Sequence, residues 1–147
     1  VLYVVTGPPA SGKSSWIEAR ARSTDIVIDL DRLALALAGP GAPNWKHAET
    51  LLRVAHRARY AAIDEALRHR DQVDVYLIHT MPSPKWLARY RQHDGTIITV
   101  DPGHDIVMQR VRDMRDPAMI AVATRWYRDR ARRRDHQPTT RQTSRTW

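Results

Sequence analysis

The eight residues Gly7-Pro8-Pro9-Ala10-Ser11-Gly12-Lys13-Ser14 constrain this chain more than any other stretch. They join an apolar run, Leu2 to Thr6, to a segment of helical pattern from Ser14 to about Arg22. A glycine, four residues, then glycine, lysine and serine is the spacing of a loop that cradles phosphates, provided that a strand precedes it and a helix follows. Both are expected here, so that backbone N–H groups and a helix N-terminus face one anion. Gly12 lets the backbone approach closely, Lys13 carries a mobile charge to the β and γ phosphates, and the Ser14 hydroxyl can ligate Mg²⁺. The pattern implies a purine triphosphate with Mg²⁺, held by Gly7, Pro8, Pro9, Ala10, Ser11, Gly12, Lys13, Ser14 and the adjoining Ser15.

Beyond the loop, short β-branched runs alternate with longer helical patterns, the signature of βαβ units around a parallel sheet. Strands are expected at Leu2 to Thr6, Ile26 to Asp29, Val73 to Ile78 and Thr96 to Val100. A short apolar helix through Leu33, Leu35 and Leu37 ends at the breaker Gly39, Pro40, Gly41, Pro43. Leu51, Leu52, Ala55, Ala58, Ala62, Ala66 and Leu67 then recur at helical spacing and predict one long helix from about His47 to Arg70. Pro82 and Pro84 introduce a helix to about Arg91, and another runs from His104 to Met114. The last is expected from Pro117, with Asp116 as N-cap, to about Arg134.

With 147 residues the chain is about one domain by the usual prior of roughly 150 residues per domain. It has 42% hydrophobic and 27% charged residues, a composition of globular domains that excludes collagen-like and disordered chains. The absence of cysteine removes disulfide frameworks and thiolate metal sites, and the seven histidines show no metal-ligand spacing. No apolar run approaches the length of a membrane span, and the N-terminus lacks the pattern of a signal peptide, so the chain reads as cytoplasmic, with no membrane partner. The oligomeric state cannot be read from the sequence. The net charge of +8 is concentrated at one end, since residues 125 to 147 hold eight arginines and two aspartates. Residues 1–134 read as the folded domain and residues 135–147 as a basic, disordered tail or linker, and the arginines suggest a polyanionic partner. A first residue already in a strand, without an initiator methionine, is the pattern of a fragment or a processed chain.

Asp29-Leu30-Asp31-Arg32 closes the second expected strand. In an open parallel sheet ligands bind beyond the carboxyl ends of the strands, so both carboxylates should emerge near the phosphate loop. Strand alternation sends Asp29 and Asp31 to one side. One can hold the Mg²⁺ water shell and the other can take a proton from an attacking hydroxyl, while the competing reading of Asp31 is a helix cap. Arg110, Arg112 and Arg115 cluster around a helix break, where planar guanidinium groups suit phosphates and bases.

GPPASGKSSW followed by VIDLDR, then VDPGHDIVMQRVRDMR and ATRWYRD, resembles the kinase domain of bacteriophage polynucleotide kinase and related small P-loop kinases of the zeta-toxin and adenylate-kinase group. The resemblance covers most of residues 1 to 134. It implies an α/β, three-layer P-loop kinase fold whose four-stranded parallel sheet has the order 2-3-1-4. It also implies ATP-dependent phosphorylation of a nucleic acid hydroxyl, most readily the 5'-hydroxyl of DNA or RNA. By resemblance, Asp31 is the general base, Lys13 and Ser14 hold the donor, and Arg110 and Arg115 belong to a lid over base and phosphates. Two departures stand out. The arginine expected three residues beyond the base is Ala34, leaving Arg32 as a substitute on the acceptor side. The third strand ends in Tyr76-Leu77-Ile78-His79-Thr80 without an acid, so metal holding falls to Ser14, Asp29 and water. An ATP-binding module attached to a nucleic-acid enzyme, or a kinase of nucleosides or sugars, are the alternative readings.

Overall fold

Strand β1, Leu2–Thr6, is apolar on both sides, and that places it inside a sheet covered by helices on two faces. Leu2 and Val4 turn to one layer, while Tyr3 and Val5 turn to the other. The computed structural model describes residues 1–44, 46–114 and 116–135. Its four strands are β1, β2 (Ile26–Ile28), β3 (Val75–Ile78) and β4 (Thr96–Thr99), in the order β2-β3-β1-β4. All pairings are parallel, running from Leu2 opposite Val75 to Val5 opposite Ile78, and from Tyr3 opposite Thr96 to Thr6 opposite Thr99. The expected α/β fold with strand order 2-3-1-4 is therefore the fold observed.

The helices are α1 (Lys13–Glu18), α2 (Leu30–Leu37), α3 (Glu49–His69), α4 (Pro84–Gln92), α5 (His104–Asp113) and α6 (Pro117–Asp135). Helices α3 and α4 bury Ile63, Ala66, Leu67 and Tyr90 against Leu2, Val4 and Leu77. On the opposite face Ile17 of α1 meets Val5 and Tyr76. A separate cluster of Val107, Met108, Val111 and Ala123 joins α5 to α6 and packs against Ala10 of the phosphate loop. Burial of each large aliphatic side chain is worth about 1.5–3 kcal/mol, so the two faces of the sheet hold the strand ends in fixed register beneath the loop.

Three local differences from the expected elements matter for the site. First, β2 stops at Ile28, and Asp29 becomes the N-cap of α2, its Oδ1 accepting the Asp31 N–H at 3.1 Å. Strand alternation therefore does not govern Asp29 and Asp31, and Asp29, not Asp31, is the capping residue. The reason is capping energetics: a carboxylate satisfies an otherwise orphaned N–H at a helix start. Second, α1 has six residues where about nine were expected. Third, α3 starts at Glu49 behind the N-cap Ala48, which leaves His47 in the preceding loop. The expected cap of the last helix is present, as Asp116 Oδ1 accepts the Ala118 N–H at 3.0 Å. Among the described residues no helix is long and apolar enough to cross a membrane. Arg115 and the tail after residue 135 lie outside the described residues.

Candidate functional site

The loop between β1 and α1 is anchored at its first residue, where the Gly7 N–H donates to the carbonyl of Thr80 just past β3 at 3.3 Å. Gly7 has φ 143°, and a Cβ there would lie 2.2 Å from the carbonyl oxygen of Val100, so only glycine fits. Gly12 has φ 99°, and the space its Cβ would enter is open for 4 Å. Ala10 sits at φ 58°, a left-handed conformation that costs a non-glycine residue about 1–2 kcal/mol. The Ser11 side chain is buried, and its Oγ has no partner among the described residues. Because α1 is only six residues long, the expected phosphate site has to draw on the loop N–H groups more than on a helix dipole.

Lys13 opens α1, and its Nζ donates to the carbonyls of Gly7 at 3.0 Å and Pro8 at 2.6 Å. Burial pushes its ammonium down to about 8, while the nearby carboxylates of Asp29 and Asp31 oppose that shift. A single lysine is thus flanked by the loop on one side and by the start of α2 on the other. Asp29 is raised by burial, an effect opposed by the Asp31 N–H, and it makes no ion pair among the described residues. Asp31 has a side chain 65% exposed, and its Oδ1 lies 3.0 Å from Nε2 of His47. Arg32 is exposed on the same turn, close enough to Asp29 to favour its ionised form. Ser14 and Ser15 are exposed on the first turn of α1.

Arg110 of α5 reaches back across a hundred positions and donates to the Ala10 carbonyl at 3.0 Å, which brings one of the expected lid arginines to the loop. His79 is the reverse case. Burial, with the Arg59 guanidinium beside it, pushes its imidazole down to about 4, and Nδ1 lies 2.7 Å from the Tyr90 hydroxyl. Tyr90 is itself pushed up to about 12 by burial, so the phenol keeps its proton and donates. His79 is half-buried and packs edge-on to Trp86 and Tyr90 of α4.

Three residues in this region were not singled out from the sequence. His47 touches Asp31 from the loop before α3. Arg59, buried on α3, donates to the Ile78 carbonyl at 2.8 Å and leaves its Nε without a partner among the described residues. Trp126 of α6 donates through Nε1 to the Thr80 carbonyl at 2.9 Å, the same oxygen that anchors Gly7. A cation on the apolar stripe Ala55, Ile63, Ala66 was a readable signal for Arg59. Behind the loop, between α4, β4 and α6, a cavity of about 190 Å³ is lined by Arg91, Trp126, Arg130 and Arg133, among others.

No cluster of three or more acidic or histidine ligands occurs among the described residues. The groups expected to serve Mg²⁺ are the exposed Ser14 hydroxyl and the half-buried Asp29 carboxylate, one of whose oxygens accepts the Asp31 N–H. Such a set fits Mg²⁺, which keeps several waters and takes few protein ligands besides phosphate oxygens.

No family model matches the sequence, and no curated protein matches it. Among solved structures, the chain is similar to one chain in a structure of the Pnkp1/Rnl/Hen1 complex, with a TM-score of 0.52 and 17% identity. The match covers 74% of this chain and 38% of that one, so the present chain spans well under half of its structural relative. At this identity the likeness is one of fold, a P-loop kinase-like α/β arrangement.

Proposed function

We propose that the protein is an ATP-dependent phosphotransferase that phosphorylates a nucleic acid hydroxyl, the 5'-hydroxyl of a DNA or RNA strand. The observation that carries this reading is Lys13, a half-buried ammonium bonded to the loop carbonyls of Gly7 and Pro8 and within electrostatic reach of the Asp29 and Asp31 carboxylates. In the proposed transfer the acceptor O–H gives its proton to Asp31 as its oxygen forms the new bond to the γ phosphorus, and the bond from that phosphorus to the bridging oxygen of ADP breaks. Loop N–H groups and Lys13 hold the β and γ oxygens and stabilise charge there. Mg²⁺ held by Ser14 and Asp29 would neutralise the phosphate oxygens when bound. Arg110, and by resemblance Arg115, would close over the donor, and Arg32 is placed on the acceptor side.

Support for a nucleic acid acceptor comes from the arginines of α6 and from the cavity where Trp126 stands among Arg91, Arg130 and Arg133. The Trp126 ring is itself buried and covered by Arg130, Arg130 and Arg133 are tied to Asp101 and to the Pro82 carbonyl, and Asp129 lines the cavity with them, so the support is an arginine-rich surface suited to phosphates rather than a stacking platform. The fold likeness to a chain of the Pnkp1/Rnl/Hen1 complex agrees with the reading. The test incubates the protein with γ-labelled ATP, Mg²⁺ and, separately, 5'-hydroxyl DNA, 5'-hydroxyl RNA, nucleosides and sugars. Label on an oligonucleotide 5'-end supports the proposal, label on a small molecule replaces the acceptor, and release of inorganic phosphate alone makes the chain an ATP-hydrolysing module.

A further inference from the structure

We infer that His47 is the positioning residue for the Asp31 carboxylate, holding one of its oxygens so that the other faces the acceptor hydroxyl. The inference deepens the proposed function and rests on Asp31 being the base. An exposed aspartate on the first turn of a helix ordinarily samples several rotamers, and a base that does so meets its substrate in the productive geometry only part of the time. Asp31 is 65% exposed, yet it is held from two directions. Its backbone N–H is tied by the Asp29 carboxylate at 3.1 Å, and its Oδ1 is tied by His47 Nε2 at 3.0 Å.

The two members of this contact are built unlike each other. The His47 side chain is only 3% exposed, whereas its partner stands in solvent. An ionised carboxylate has acceptor capacity only, so Nε2 must carry the proton of the bond. Nδ1 is buried and has no partner among the described residues, which leaves the ring one polar contact, and that contact is Asp31. A histidine that served only to pack the loop would be expected to satisfy both nitrogens or to be replaced by an apolar ring. His47 lies between α2 and α3, sixteen positions after Asp31, and reaches the first turn of α2 through this contact. With Oδ1 occupied, Oδ2 is the oxygen left to accept a proton.

The test uses the full chain and two substitutions that keep a side chain in the buried site. His47→Phe keeps the ring and removes the donor, and His47→Gln restores an N–H near the position of Nε2. Wild-type transfer of label is measured first. The expected result is that His47→Phe lowers kcat about 10²-fold, the scale of misplacing a reacting group, with the KM for ATP unchanged. His47→Gln recovers most of the rate, and adding His47→Phe to Asp31→Asn lowers the rate no further. Equal kcat in His47→Phe and wild type, or full additivity with Asp31→Asn, overturns the inference. A second readout does not depend on activity: a slowly exchanging imidazole N–H signal from His47 by NMR, lost in Asp31→Ala. Absence of that signal in the wild type overturns the inference directly. If the wild type transfers no label but shows the signal, the proposed function has failed first, and His47 is overturned as a positioning residue and left as a staple between loop and helix.

Discussion

In the proposed reaction the donor side and the acceptor side draw on parts of the molecule built by different means. The donor cradle is eight consecutive residues whose shape comes from backbone conformation, with Gly7 jammed against Val100 and Gly12 open to the space above. The acceptor side is assembled from residues distant in sequence: Asp29 and Asp31 at the head of α2, and His47 sixteen positions after Asp31. Lys13 and Asp29 stand between the two, Asp29 through the Mg²⁺ it would hold. The contrast teaches that a contiguous backbone device survives as a readable motif, while a device made of side chains on separate elements appears only when the chain is folded.

The sharpest way to break the comparison is to disable one side and look for damage on the other. Asp31→Asn keeps shape and removes the proton acceptor, so transfer should fall by about 10² to 10⁴-fold while ATP binds as before. A larger loss in Asp29→Asn than in Asp31→Asn would exchange their roles. Lys13→Ala should cost about 10² to 10³-fold in turnover and weaken ATP binding as well, since the same charge serves ground and transition states. The ammonium is the form that attracts phosphate, and burial brings it down to about 8, so ATP affinity of the free protein should decline as pH rises through 8. The same burial makes the charged form costly in the folded state. Between about 8 and its ordinary value of 10.5 the unfolded chain holds more protons, so stability gains with rising pH there, and Lys13→Ala should remove that gain in urea titrations.

Two smaller effects sharpen the structural side. Gly7→Ala places a methyl group 2.2 Å from the Val100 carbonyl, and overpacking of this kind costs about 1–3 kcal/mol, measurable as a lower urea midpoint with unchanged slope. His79 should give an acid-labile component of stability. Its folded value of about 4 lies below the ordinary 6.5, so the unfolded chain binds the extra proton between them, and stability present above 6.5 is lost as pH falls toward 4. His79→Asn should flatten that part of the pH profile, and an unchanged profile would place the acid sensitivity elsewhere.

Sequence reading reached the strands and most helices from local pattern, whereas the strand order 2-3-1-4 came through the family resemblance, since local pattern does not order strands in a sheet. It misplaced the geometry of Asp29 and Asp31, since a period-two strand argument was carried past Ile28 into a helix cap. His47 was hidden by a different cause: the helical period of Leu51, Leu52 and Ala55 was extended backward over it, although α3 begins at Glu49. Trp126 could not be placed either, because its bond to the Thr80 carbonyl spans 46 positions and no local spacing encodes it. Arg59 was the one missed residue with a visible mark, a guanidinium on a stripe otherwise filled by Ala55, Ile63 and Ala66.

If Lys13 serves a nucleotide cradle and a separately built acceptor base together, ATP affinity and label transfer measured side by side on three proteins will separate the two functions. In wild type both should be present, in Lys13→Ala both should be impaired, and in Asp31→Asn affinity should be retained while transfer to a 5'-hydroxyl oligonucleotide is lost. Transfer at the wild-type rate by Asp31→Asn, or wild-type ATP affinity in Lys13→Ala, would contradict the account.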